Sequence, residues 1–135
     1  MIKMIIALFM ITSLCSSEVV KDNETGLVWQ DSSNTVKRDW SGAKEYCADL
    51  TLEGYSDWRL ADISELKKIS KKCKYHPNRK SILRNAKSNY YWSASKVAKY
   101  KNKSRAWVVL LNDGYVNWRS AKNSNLVRCV RADKL

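Results

Sequence analysis

The chain has 135 residues, with 25 Lys or Arg against 13 Asp or Glu and a formal net charge of +12. That length holds one small domain, and the lack of a Pro/Gly/Ser linker, an internal repeat or a low-complexity stretch excludes a modular organisation. The basic excess attracts polyanions.

Residues 1–17 have the order of a secretory signal peptide: Lys3 supplies a short positive region, residues 5–14 are almost continuously apolar, and the small residues Cys15, Ser16 and Ser17 precede Glu18. The apolar run is too short to cross a hydrocarbon core as a helix, which needs about 20 residues, and no second run follows. An exported, soluble domain over 18–135 is expected, periplasmic or extracellular. Lipidation of Cys15 is the alternative, but Leu14 stands where a small residue is expected before an acylated cysteine. Removing the leader takes away Lys3 and leaves a net charge of +11.

In the remaining chain, residues 23–26 (NETG) predict a turn before a strand at Leu27, Val28 and Trp29. Residues 39–52 carry Trp40, Ala43, Cys47 and Leu50 at helical spacing, with Lys44, Glu45 and Asp49 on the other face, so Cys47 is expected to point inward. A second helix begins at Asp62, which can cap it while Glu65 returns the bond; Ile63, Leu66, Ile69 and Cys73 form its apolar side. A polar loop around His76 and Pro77 follows. Residues 90–94, 105–111, 115–119 and 126–131 are rich in Val, Tyr and Trp and predict strands; Asn112, Asp113 and Gly114 turn the middle two into a hairpin. The fold class is therefore α+β.

The segments NETGLVWQD (23–31), YC (46–47), GYSDWRL (54–60), YYWSAS (90–95), AWVVLLNDGYVNW (106–118) and LVRCVRA (126–132) resemble, in order, the Lcl C-terminal domain family. That family is named for a collagen-like bacterial adhesin. The resemblance implies a C-type-lectin-like fold, distantly similar to formylglycine-generating enzymes, with two helices and a mainly antiparallel sheet. It also implies a disulfide from the first helix to the last strand, at the matching positions Cys47 and Cys129. Closing a loop of about 80 residues is worth on the order of 4 kcal/mol in the chain-entropy picture. Cys73 is then left as a buried thiol, or as a group for intermolecular pairing or redox use. Ala61 and Asp62 replace a proline and threonine more usual in the family pattern.

Trp29, Trp58, Trp92 and Trp107 read as core residues, and Trp118, beside Arg119 near a strand end, as the tryptophan expected to be partly exposed. Asp57 and Arg59, flanking Trp58, are candidates to fix the loop before the second helix through charge-assisted hydrogen bonds. The basic residues cluster twice: Lys67, Lys68, Lys71, Lys72 and Lys74 along the second helix, and Lys96, Lys99, Lys101, Lys103 and Arg105 in a glycine-free stretch without an acidic residue. Either cluster serves as a solvated face or as an anion site. Candidate ligand contacts are Lys96, Lys99, Lys101, Lys103, Arg105, Trp118 and Arg119, since loops on a rigid scaffold commonly carry recognition.

Catalysis is not expected. His76 has no partner constellation, metal-ligand spacings are absent, and two of the three cysteines after the leader are assigned to the bridge rather than to an oxidising pair. Neither the Glu-Pro-Asn or Gln-Pro-Asp loop nor the Trp-Asn-Asp strand of calcium-dependent lectins occurs, so no metal or other cofactor is expected. The leading partner is a polyanion such as a sulfated glycan, without specific nucleic-acid recognition; the alternative is an envelope protein.

Intact-mass analysis of exported material should give a chain starting between Ser16 and Val19. A mass retaining Met1 would remove the export argument, and a diacylglyceryl adduct on Cys15 would establish the lipoprotein form.

Overall fold

The computed structural model describes residues 18–73, 83, 89–98, 104–111 and 113–133, without the side chain of Cys73. In chain order the elements are β1 (Val19–Asp22), β2 (Leu27–Gln30), β3 (Val36–Arg38), α1 (Trp40–Asp49), β4 (Arg59–Leu60), α2 (Ile63–Cys73), β5 (Tyr90–Lys96), β6 (Arg105–Leu110), β7 (Tyr115–Ser120), β8 (Asn125–Val127) and β9 (Cys129–Ala132). They form one sheet of order β1-β2-β9-β4 and a second of order β3-β8-β5-β6-β7. Pairing is antiparallel except between β5 and β8. The α+β class and the predominantly antiparallel pairing are as the sequence indicated. Among the described residues no helix is long and apolar enough to cross a membrane.

Each helix starts with a side-chain cap. Asp39 accepts the Gly42 amide at 2.8 Å ahead of α1. Asp62 accepts the Glu65 amide at 2.8 Å while Glu65 accepts the Asp62 amide at 2.9 Å, the reciprocal box expected for α2. The Ile63 amide is satisfied by Ser95 Oγ at 3.1 Å, which fixes the start of α2 on β5. Glu65 also takes a two-pronged bond from Arg59, 2.7 Å in each arm, and Asp57 accepts from Arg131 at 2.6 and 3.3 Å. Both residues beside Trp58 therefore brace the loop into α2.

The apolar residues divide into two clusters. Leu66 and Ile69 of α2 pack with Trp29, Tyr91, Val109, Leu111, Leu126 and Val130. Ala43 and Cys47 of α1 pack with Val28, Trp58, Trp92, Ala106, Val108, Val127 and Cys129. Adjacent strand residues such as Val28 and Trp29 enter opposite clusters, as the two-residue strand period requires, so the central strands are buried on both faces. The Cys47–Cys129 bridge, with Cα atoms 5.4 Å apart, joins α1 to β9 through the second cluster. Turn chemistry fits the same frame: Gly114, at φ +69°, lies where a Cβ would come within 2.8 Å of Ser70 Oγ on α2.

The expected single strand over 126–131 is instead two. Val127 ends β8 in one sheet and Cys129 begins β9 in the other, with Arg128 between them. Arg128 is 3% exposed; its Nη1 donates to the Gln30 carbonyl at 2.9 Å and to Asp31 Oδ1 at 3.4 Å. The Gln30 side-chain oxygen accepts the Cys129 amide at 3.1 Å. Three short strands, β1, β3 and β4, also join the sheets without having been expected. His76, Pro77 and Asn112 lie outside the described residues, as does the inward direction expected for Cys73.

At the β1–β2 hairpin, Asp22 is 2% exposed and accepts from Thr25 Oγ1 at 2.9 Å, from the Glu24 amide at 3.3 Å and from Lys72 of α2. Burial pushes its carboxyl up, but the bonds from Lys72, Thr25 and Glu24 outweigh that and hold its pKa below the ordinary value. Glu65 follows the same pattern: burial raises its pKa, and the Arg59 and Asp62 bonds bring it below the ordinary value.

Removing Asp31 alone leaves a buried guanidinium without its carboxylate, and Asp31→Ala should destabilise the domain by about 3–5 kcal/mol in urea unfolding. The double change Asp31→Leu with Arg128→Met should recover most of that loss. A cost below about 1 kcal/mol for Asp31→Ala would mean that the pair does not anchor the strand break. A depressed carboxylate stabilises the fold above its unfolded pKa of about 4 and loses that contribution as pH falls through its folded pKa. The stability gap between the parent and Asp22→Asn should thus stay constant from pH 7 to 5 and shrink as pH is lowered further; a gap that widens on acidification would contradict the depressed pKa.

Candidate functional site

β5, β6 and β7 make one side of the five-stranded sheet, and β7 is its edge. Lys96, Ala106 and Arg119 stand in one row across the three strands. In the neighbouring rows Arg105 is opposite Ser120, and Trp107 is opposite Trp118. Opposed residues share a face and successive residues alternate. Arg105, Trp107, Trp118 and Ser120 therefore occupy one face, and Lys96, Ala106 and Arg119 the other.

The backbone bonds explain the spacing. On the β5 side, the Val97 amide donates to Arg105 and that of Leu111 to Asn89; on the β7 side, Ala121 donates to Ser104 and Gly114 to Leu110. Even-numbered β6 residues consequently bond β7, so Trp107 and Trp118 form a pair without ladder bonds between them, the closer of the two antiparallel spacings. Trp118 turns its own N–H and C=O to the open edge. Both are met by neighbouring side chains: Asn117 Oδ1 accepts the N–H at 2.8 Å, and Arg119 Nη1 donates to the C=O at 3.2 Å. This blunts the edge against addition of another strand.

The structure brings together only part of the expected ligand set. Arg105 lies over the Trp118 ring, 3.9 Å from its centroid, and Trp118 is 39% exposed. Arg119 lies on the opposite face, over Tyr90 at 4.8 Å, and exposed Lys96 shares that face. Lys99, Lys101 and Lys103 lie outside the described residues, in the segment joining β5 to β6. The partial exposure expected of Trp118 is observed.

Trp107 corrects the reading of four core tryptophans. Trp29, Trp58 and Trp92 are buried, but Trp107 is half-buried. Ala106 and Val108 point into the α1 cluster, while the α2 cluster takes in Val109 and stops short of Trp107. Its place two residues from Arg105, between two inward small or branched residues, was the signal in the sequence that assigns it to the Arg105 face.

The competing basic patch is reduced by the fold. Lys72 bonds Asp22 and lies 3.0 Å from Glu24, while Lys67, Lys68 and Lys71 line a shallow groove with Ile63 and Ser64. Lys74 lies outside the described residues. A further groove along α1 is lined by Arg38 and Tyr46 but also by Glu45 and Asp49, whose carboxylates oppose an anionic ligand.

No curated protein matches the chain. The family profile described as the Lcl C-terminal domain matches residues 18–131, which takes in both helices, the strands of both sheets and the two bridged cysteines. The chain thus belongs to the Lcl C-terminal domain family, and this membership points to an adhesin-like binding domain.

Proposed function

We propose that the exported domain binds a polyanionic glycan, with sulfated polysaccharide as the leading class, and performs no catalysis. The observation that carries this reading is the Arg105 guanidinium over the exposed Trp118 ring, at the end of a segment with five cations in ten residues and no acidic residue. An arginine stacked on an aromatic ring still presents N–H donors at its rim for a sulfate or carboxylate. The neighbouring lysines supply long-range attraction, and Arg105 supplies the directional contact. No calcium is required, because the acidic ligands that would hold it are missing from the 96–105 stretch. An envelope protein partner is the alternative, and salt separates the two: a polyanion complex weakens steeply with ionic strength, and a packed apolar interface does not.

Affinity for heparin should fall severalfold in Lys99→Gln/Lys101→Gln/Lys103→Gln at low salt, with unfolding midpoints nearly unchanged because surface substitutions cost little. Arg105→Gln should weaken binding as well. Chelator should have no effect, and the triple change at Lys67, Lys68 and Lys71 should matter less. Parental binding by the loop triple would refute the loop assignment; absence of salt-sensitive binding by the parent to any polyanion would leave the protein-partner reading in its place.

A further inference from the structure

We propose that Glu53 receives the amino terminus that leader removal creates: the leader is cut between Ser17 and Glu18, and the new α-ammonium of Glu18 pairs with the Glu53 carboxylate. This rests on the export of the domain and is independent of its anion ligand. It narrows the expected start, between Ser16 and Val19, to one bond.

The place of Glu18 in the fold carries the inference. Its carbonyl accepts the Asp31 amide at 2.7 Å, so Glu18 extends the β1–β2 ladder one residue beyond Val19, which is opposite Gln30. Its nitrogen lies 3.1 Å from Glu53 Oε1. A carboxylate at that nitrogen meets a neutral peptide N–H before cleavage and a full positive charge after it, and the second bond is the stronger. The residues before the cut agree, since Cys15 and Ser17 put small side chains at the third and first positions ahead of it, and the family match begins at Glu18. Hydrolysis adds water across the Ser17–Glu18 amide; Ser17 leaves as a carboxylate, and the proton that its acid gives up is carried by the Glu18 amine.

The turn that presents Glu53 is held in place. Leu52 and Tyr55 exchange both backbone bonds, at 3.0 and 3.1 Å, and close a two-residue turn over Glu53 and Gly54. Trp58 Nε1 donates to the Tyr55 carbonyl at 3.0 Å, and Arg131 lies over the Tyr55 ring at 3.7 Å, so the turn is fastened to a buried indole and to β9. Glu53 has φ +49° and Gly54 φ +80°, a backbone that favours Asn-Gly; among the described residues Glu53 is the one residue other than glycine at positive φ. A glutamate is an unfavourable choice for that backbone, and its bond to Glu18 is what its side chain supplies in return.

The test compares the exported parent with Glu53→Gln, which keeps a side-chain acceptor and removes the charge. Both should begin at Glu18 by intact mass. Exposed ion pairs add little to stability, so the readout is the α-amine itself. A carboxylate partner keeps more of the amine protonated, and acylation of the parent's N-terminal peptide at pH 7 should be about threefold slower than in Glu53→Gln, with the difference abolished in denaturing urea. A second measurement needs no variant: a zero-length carbodiimide should join the Glu18 amine to the Glu53 carboxyl in the folded parent, giving a linked peptide pair. Equal acylation rates in the folded proteins, or no such crosslink, overturn the pairing. A start at any other residue, or a lipid on Cys15, overturns the cleavage assignment, and retention of Met1 overturns export along with it.

Discussion

The fold turns on the burial of Arg128 between two strands that belong to different sheets. A chain that passes from β8 to β9 must leave one set of ladder bonds and enter another, and the polar backbone at the crossing has to be satisfied away from water. Here the end of β2 and the residue after it supply the means: the Gln30 carbonyl and Asp31 carboxylate receive Arg128, and the Gln30 side chain receives the Cys129 amide. Tyr91, 5.6 Å beneath the guanidinium, belongs to the α2 cluster. Next along the chain, Cys129 ties the crossing covalently to α1. One buried ion pair and one bridge thus tie the two sheets to each other and to α1. Such a pair contributes less through net attraction than through the cost of leaving either member alone in the interior.

That arrangement frees β6 and β7 from the central junction. Ala106 and Val108 fill the α1 cluster from one face of β6, and Val109 and Leu111 fill the α2 cluster from the other. The Trp107 position is left over, opposite an edge strand. An edge is a ready site for unwanted strand pairing, and the Asn117 and Arg119 bonds to the Trp118 backbone close it without a further element. Arg119 bonds that edge and lies over Tyr90, on the face opposite Arg105.

Much of this frame was legible in the sequence, for identifiable reasons. Helix starts were readable because a cap is a local device: Asp62 and Glu65 need only their own spacing to meet. Cys47 was readable as inward from the period of one helix, whereas its pairing with Cys129 came from family resemblance, since contacts 82 residues apart leave no local trace. The break at Arg128 was not readable because alternation continues straight through it: Leu126 and Val130 enter one cluster, and Val127 and Cys129 the other, as in an unbroken strand. The short strands β1, β3 and β4 were missed because two to four residues are too few to display a period. For the candidate site, the sequence gathered cations by proximity along the chain, but proximity does not assign faces; Arg105 and Arg119 read as companions until the register placed them on opposite sides.

Charge in this domain has two employments, and separating them changes what the net +12 means. Among the described residues, Lys21, Arg59, Lys72, Arg128 and Arg131 pair with Asp133, Glu65, Asp22 and Glu24, Asp31, and Asp57, binding hairpin to helix, loop to helix and sheet to sheet. These pairs consume carboxylates as well as cations, so nearly half of the chain's 13 acidic side chains are held in structural contacts. The excess positive charge is consequently concentrated in two regions: α2, where Asp22 and Glu24 share a groove with Lys68, Lys71 and Lys72, and residues 96–105, which contain no acidic residue. Among the described residues, only the second of these regions adjoins the partly exposed indoles Trp107 and Trp118, with Arg105 stacked on Trp118. Net charge can draw a polyanion to either region at comparable range. What distinguishes the β6–β7 face is that a guanidinium stacked on one indole stands beside a second, half-buried one, so that charge and apolar surface meet there.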